Sequence, residues 1–241
     1  MTQRIDILGY PVDNLTMDEA VQKVDEFVAS GQPHQVTVIN ANKIYLADKH
    51  SELSQILRTS DLIIPEQAIL IAGNLLKRRL KERVSGVELM GRLLAESPMK
   101  GYRIFLLGAR PEVVERLVKV CHEKYDGINI VGHSDGYFGE DGEAEVLKEI
   151  QRSKAEILLV ALGSPKQEFW IRKHYRTLGV PFCIGVGGSF DVHAGFKRSA
   201  PEWMRCGLEW IYRLMQDKRL WKRYFITNTV FLGKILKVRI S

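Results

Sequence analysis

Between residues 102 and 188 four apolar runs, YRIFLLGA (102–109), INIV (128–131), EILLVALG (156–163) and PFCIGVGG (181–188), recur with a helical segment between each pair. Apolar strands alternating with helices of about 10–15 residues build βαβ units, and βαβ units build a parallel sheet. A run such as ILLVAL offers no polar face, so helices must cover both faces of that sheet. The helices of this half are expected from Pro111 to Tyr125, over 141–152 and from Pro165 to Leu178. The first half is less regular. Strands are expected around ILGYPVDN in residues 1–15, at HQVTVIN (34–40) and at DLIIP (61–65). Thr16 and Glu19 form a capping-box pair that opens a helix closed by Gly31. Further helices are expected from Lys43 to Leu57, over 67–80 and over 86–97. The fold class is therefore α/β, a parallel sheet between two helical layers.

Ligands of open parallel sheets bind at the carboxyl ends of the strands. Here those ends are rich in glycine and polar residues: NAN (40–42), PEQ (65–67), LGAR (107–110), GHSDGYF (132–138), LGSPKQE (162–168) and GVGGSFD (185–191). Six ends on one rim make a single site, which brings Gly108, Tyr137 and Lys166 in as substrate-binding candidates. GVGGSF is not a nicotinamide fingerprint, because the third glycine of that pattern falls on Phe190. Its glycines, Gly187 and Gly188 among them, still allow a backbone to approach a phosphate or sugar closely. The chain has no Walker A sequence, no HExxH, no close histidine pair and no DxD. A diphosphate bound here would have its charge met by Lys, Arg and helix N-termini rather than by a metal.

Several of these residues have two readings. Ser164, Pro165 and Gln167 fit the N-cap, N1 and N3 positions of a capped helix, the reading the pattern alone favours, and Gln167 also fits a ligand contact. Asp191 fits a cap or a ligand hydroxyl. Glu66 is a general-base candidate or an exposed loop acid. Arg83, in KERVSG, fits a phosphate contact or a solvated side chain.

Charge is unevenly placed. Residues 196–241 hold eleven Lys/Arg against three acids, whereas the first 195 residues hold 24 against 26. A basic tail points to a polyanion, either nucleic acid or an anionic membrane. On a helical wheel for 219–239, Arg219, Arg223, Lys234 and Lys237 share one face, and Trp221, Phe225, Leu232, Ile235 and Leu236 the other. Such a helix either lies in a membrane interface or packs its apolar face on the domain. MTQRIDILGY lacks the features of a signal peptide, and no apolar run approaches the roughly 20 residues of a membrane span. Three scattered cysteines, Cys121, Cys183 and Cys206, suit a reducing compartment. A cytoplasmic chain is expected.

ALGSPKQE (161–168), GVGGSFDVHAG (185–195), RSAPEW (198–203) and GLEWIYRL (207–214), supported by LKERVSGVEL and RIFLLGA, together resemble the WecG/TagA/CpsF glycosyltransferases. The resemblance covers nearly the whole chain. It implies a Rossmann-like catalytic domain over 1–195 and a helical, basic, membrane-engaging appendage over 196–241. It implies inverting, metal-independent transfer of N-acetylmannosamine or a related sugar from a UDP donor to polyprenyl-diphosphate-linked N-acetylglucosamine. The implied setting is the inner face of the cell membrane, in teichoic acid or cell-surface polysaccharide synthesis. Expected partners are the donor, the lipid-linked acceptor, an anionic membrane surface and a second copy of the chain. Nucleic acid and added cofactors are not among them.

Carried over by position, Gln167 and Asp191 match pocket residues, Asn40 an active-site asparagine and Arg83 the arginine of the ERV-G segment. Arg213, with Arg219 and Arg223, matches appendage arginines near the diphosphate. Two positions depart from the pattern. Glu66-Gln67 stands where the family commonly has aspartate and glycine, and Val38 stands where it commonly has threonine, with Thr37 one residue earlier. The expected mechanism gives Glu66 the role of base, with Asn40 and Gln167 orienting sugar or acceptor. Asp191 and the glycines hold the nucleotide, and Arg83 and Arg213 neutralise departing UDP. The alternatives are a UDP-glucose or UDP-uronic acid donor, or a non-catalytic module binding anionic lipid or nucleic acid.

Overall fold

The structure, a computed structural model, describes residues 3–198 and 221–240, with positions 201, 212 and 215 between them. It opens on a hairpin of β1 (Arg4–Ile7) and β2 (Tyr10–Asp13). Leu8 and Gly9 both adopt positive φ, the conformation a two-residue hairpin loop needs. α1 (Met17–Ser30) follows, with the Thr16–Glu19 capping box formed and Gly31 in the left-handed region at its end.

The main sheet has six parallel strands in the order β4-β3-β8-β7-β5-β6. They are β3 (His34–Ile39), β4 (Leu62–Pro65), β5 (Ile104–Gly108), β6 (Ile130–Ser134), β7 (Ile157–Ala161) and β8 (Phe182–Gly185). The helices between them are α2 (Ala41–Ala47), α3 (Ser51–Thr59), α4 (Gln67–Leu75), α5 (Gly86–Lys100), α6 (Pro111–Lys124), α7 (Glu140–Ser153) and α8 (Lys166–Leu178). α9 (Ser189–His193) and α10 (Trp221–Ile240) complete the described elements.

Alternation along each strand sends side chains to two cores, as a sheet covered on both faces requires. Ile104 and Leu106 of β5 join Leu89, Leu93 and Leu117 of α5 and α6 on one face. Phe105 and Leu107 join Ile150, Trp170 and Ile171 of α7 and α8 on the other. On that side, Ile39 of β3 joins Ile44 of α2 and the inward residues Phe231 and Ile235 of α10.

Three local expectations are corrected. The helix expected from Lys43 to Leu57 is two helices, α2 and α3. The break falls on the polar triplet 48–50, where the Lys49 and His50 amides both donate to Leu46 O and Asp48 pairs with Lys234 of α10. The helix expected over 67–80 stops at Leu75. It ends in a Schellman motif, with Arg78 N–H donating to Gly73 O, Lys77 N–H to Asn74 O, and Lys77 itself at positive φ. Lysine supplies no sequence signal for that conformation. Finally, α8 starts at Lys166 with Pro165 at the N-cap position and no side-chain cap. The Ser164 hydroxyl, instead of accepting from a backbone N–H as a cap would, donates to the Glu168 carboxylate, a charged acceptor.

Among the described residues no helix is long and apolar enough to cross a membrane. Cys121 and Cys183 are buried free thiols; burial pushes Cys121 up to about 11 and Cys183 further in the same direction, which disfavours the thiolate at both. Cys206 lies outside the described residues.

Candidate active site

All six parallel strands end on one rim, and the chain reverses its winding direction there. β5 leads outward to β6 while β7 leads inward to β8, so the ends of β5 and β7 flank a topological switch point, where such sheets open a crevice. A cleft of about 640 Å³ lies there, with Arg110, Tyr137, Phe138, Lys166, Asp191 and Lys197 in its wall.

Its floor is laced by backbone. Ala109 N–H donates to Ala161 O at 2.9 Å, and Gly136 N–H to Ala109 O at 2.9 Å, tying the ends of β5, β6 and β7 together. Gly108 allows this. Its φ is +115°, and a Cβ there would stand 2.6 Å from the Ala161 carbonyl carbon. Gly108→Ala should therefore cost about 1–3 kcal/mol of stability, from backbone strain at a glycine-only conformation. A urea unfolding midpoint unchanged from wild type would show that the turn relaxes instead.

The cleft is cationic. Lys197 Nζ is 3.6 Å from Asp191 Oδ1, leaving one acid beside three bases. Lys166 Nζ stands 5.8 Å from the Phe138 ring centroid, and the Arg110 guanidinium is 5.8 Å from that of Phe196. Arg110 also pairs with Glu112 at 2.7 Å. Tyr137 is exposed at the mouth. Of the residues expected from sequence, Lys166, Tyr137 and Asp191 line the cleft and Gly108 underlies it. Arg110 and Lys197 were not picked out. Arg110 closes the strand-end segment LGAR directly before a proline-initiated helix, which is a usable signal. Lys197 was counted only as part of the tail.

A second group forms at the ends of β3 and β4. Asn40 caps α2 by accepting the Lys43 N–H on Oδ1 at 2.9 Å, which leaves its Nδ2 to donate to Glu66 Oε2 at 2.9 Å. The cap thus fixes the orientation of the amide, and the amide aims the carboxylate. Glu66 N–H donates to Ile39 O, so the two strand ends are joined by backbone as well. Arg83 comes to the same end, because Val84 N–H donates to Pro65 O; its guanidinium pairs with Glu88. Thr37 points away from the rim: it donates to Ser60 Oγ at 2.8 Å, and Ser60 in turn donates to Ile56 O. Val38 lies in the core.

Between the two groups lies the β8 end. Gln167 is 2% exposed, beneath the glycines rather than on the rim. Its Oε1 accepts the Gly187 N–H at 3.1 Å, and a Cβ on Gly185 would meet its Nε2 at 2.5 Å. Gly188 precedes α9, which carries Asp191. His193, at the end of α9, lies outside the cleft and bridges its Nε2 to Val87 O at 2.9 Å. Burial holds its imidazole below the ordinary value, and the bond to Val87 works the other way. Arg213, Arg219 and the Arg223 side chain lie outside the described residues. Among the described residues no three His, Cys, Asp or Glu groups come together as a metal site.

Residues 5–241 match the glycosyl transferase WecG/TagA/CpsF family. The chain is 33% identical to an N-acetylglucosaminyldiphosphoundecaprenol N-acetyl-beta-D-mannosaminyltransferase of Staphylococcus aureus strain MW2, over 99% of this chain and 94% of the relative. The proteins of that name from strains NCTC 8325 and MRSA252 are 33% and 32% identical over the same shares. With a match over nearly its full length, the chain belongs to the WecG/TagA/CpsF family and is a glycosyltransferase.

Proposed function

We propose that the chain transfers N-acetylmannosamine, or a closely related sugar, from a UDP donor to polyprenyl-diphosphate-linked N-acetylglucosamine, with inversion and without a metal. The observation that carries this reading is the Asn40-aimed Glu66 carboxylate on the same rim as a three-cation cleft. Glu66 follows β4, and three strand spacings, about 14 Å, separate the ends of β4 and β7. The donor's phosphates sit among Arg110, Lys166 and Lys197, and the acceptor's terminal sugar fills the gap on the Glu66 side. The donor's anomeric carbon, one oxygen from the nearer phosphate, faces the acceptor hydroxyl that Glu66 meets.

In this reading Glu66 takes the proton from the acceptor hydroxyl as that oxygen attacks the anomeric carbon. The bond to the diphosphate breaks on the opposite side. Arg110, Lys166 and Lys197 meet the charge that develops on departing UDP. Asp191 accepts from a donor hydroxyl, and the backbone of residues 185–188 approaches the nucleotide. Arg83, beside β4, serves the acceptor's diphosphate rather than the donor's. α10 brings the rim to the lipid surface through Trp221, Phe225, Leu232 and Leu236, which are exposed on one side of the helix.

The test is UDP release from UDP-N-acetylmannosamine, UDP-glucose and a UDP-uronic acid, each with a polyprenyl-diphosphate-N-acetylglucosamine analogue. Release restricted to the first donor supports the reading. Lipid binding with no release from any donor would make the chain a non-catalytic module. Within the same assay, Lys166→Met and Lys197→Met should each raise the donor KM about tenfold, the loss of one charge-assisted hydrogen bond to phosphate. An unchanged KM in both would remove the cleft from donor binding.

A further inference from the structure

The polar contacts that fix the two halves of the site meet at one buried ion pair. Lys43 Nζ lies 2.8 Å from Glu168 Oε1, with the two side chains 4% and 3% exposed. The same Oε1 accepts from Gln167 Nε2 at 2.8 Å and from Ser164 Oγ at 3.2 Å. Glu168 Oε2 is buried without a hydrogen-bond partner. On one side of the pair, Lys43 N–H holds Asn40, and Asn40 holds Glu66. On the other, Gln167 Oε1 holds the Gly187 N–H.

A pair of this kind is a poor way to stabilise a fold. Two desolvated charges are commonly replaced by apolar side chains at no loss of stability, and an unpartnered carboxylate oxygen adds a further penalty. What the pair supplies is polarity. Lys43 can only donate, so it fixes Glu168 Oε1. The carboxylate can only accept, so it takes the NH2 end of Gln167 and turns the Gln167 carbonyl toward Gly187. An uncharged amide at position 168 with no lysine opposite it presents either end, and the direction of the chain of bonds is then undefined.

We propose that Lys43 and Glu168 are positioning residues for glycosyl transfer, setting the glycine loop after β8 and the Asn40–Glu66 pair in a fixed relation. The proposal rests on the donor reading given above for its catalytic half. Neither side chain touches the reacting atoms in it. Both act through Gln167 and through the start of α2.

The experiment compares Glu168→Gln and the charge-free double variant K43M/E168Q with wild type. It measures amide exchange by peptide, kcat and donor KM. Exchange in segments 185–188 and 40–43 should rise roughly tenfold in the double variant, the loss of about one hydrogen bond, and less in Glu168→Gln, where Lys43 still orients the amide oxygen, while β5 and β7 keep their protection. A misplacement of this kind should lower kcat/KM by about 10²-fold. The double variant, which leaves no unpaired buried charge, should keep its fold and still show the kinetic loss. Wild-type kinetics and exchange in the double variant would overturn the proposal. So would loss of protection in β5 and β7 in both variants, since the pair would then be an element of folding. The exchange arm needs no substrate. Failure of the donor reading appears as no UDP release by the unaltered chain, and failure of the proposal as unchanged exchange in both segments.

Discussion

Replacing Glu66 by glutamine should lower kcat by about 10²- to 10⁴-fold, the contribution of a positioned general base. The substitution keeps the length of the side chain and the acceptor for Asn40 Nδ2, since an amide oxygen takes the place of Oε2 at 2.9 Å. It removes only the ability to take a proton. Donor affinity should stay near wild type, because the cations of the cleft lie at the ends of β5, β7 and α9 and not of β4. The KM for donor and the kcat thus separate, and steady-state UDP release reads both. Near-normal turnover in Glu66→Gln would take the base assignment away from this residue. Asn40→Ala should show a smaller loss of kcat, together with a loss of stability of about 1 kcal/mol from the missing cap of α2. Glu66→Asp keeps the carboxylate but shortens its reach by one methylene. Its turnover measures whether this rim is built around the longer acid.

The parallel sheet was legible because runs such as ILLVAL have no polar face and tolerate no other covering. The glycine-rich and polar strand ends were legible for the same reason: once the sheet is parallel, all six must share a rim. The breaks in the helices were not. Lys77 takes a left-handed conformation that sequence associates with glycine, and the polar triplet at 48–50 reads as an ordinary solvated turn of a longer helix. The role of Gln167 was half legible. Its position in PKQE suggested a cap or a ligand contact, and the structure shows it as the support of the Gly187 amide. The Gln167 amide is turned that way by its bond to the Glu168 carboxylate, which in turn pairs with Lys43 from a distant helix. No local pattern announces a buried pair whose members are brought together only by the order of strands β3, β8 and β7. Arg110 and Lys197 illustrate the same point for the cleft, since each belongs to a different strand end.

α10 carries the sharpest separation between a residue that holds the fold and one that serves the surface. Sequence put Ile235 on the same face as Trp221, Phe225, Leu232 and Leu236. The helix in fact splits them: Ile235 is 2% exposed beside Phe231 and Thr227, whereas Leu232 is 52% and Leu236 56% exposed. The inner line packs with Ile39, Ala41 and Ile44 of the domain, so the packing reading holds on that side, and the exposed side is the one proposed to meet the membrane. Ile235→Ala should cost about 2–5 kcal/mol of stability, as truncations of buried aliphatic residues do. Serine at Trp221, Phe225, Leu232 and Leu236 should cost far less stability per residue than Ile235→Ala, because each side chain is already more than half exposed. The same four changes should weaken partition onto vesicles of anionic phosphatidylglycerol. Each half-exposed apolar side chain contributes about 1 kcal/mol when it enters the interface, so the quadruple variant should bind about 10³-fold more weakly. Lys222, Lys237 and Arg239 are exposed on α10 and each add about 1 kcal/mol near an anionic surface. Binding to neutral phosphatidylcholine vesicles should therefore already be weaker for wild type. Chemical denaturation and vesicle sedimentation on the same two variants read the two sides independently. Undiminished sedimentation of the quadruple variant would show that the membrane is met elsewhere on the molecule, and an Ile235→Ala variant of wild-type stability would show that α10 contributes nothing to the core.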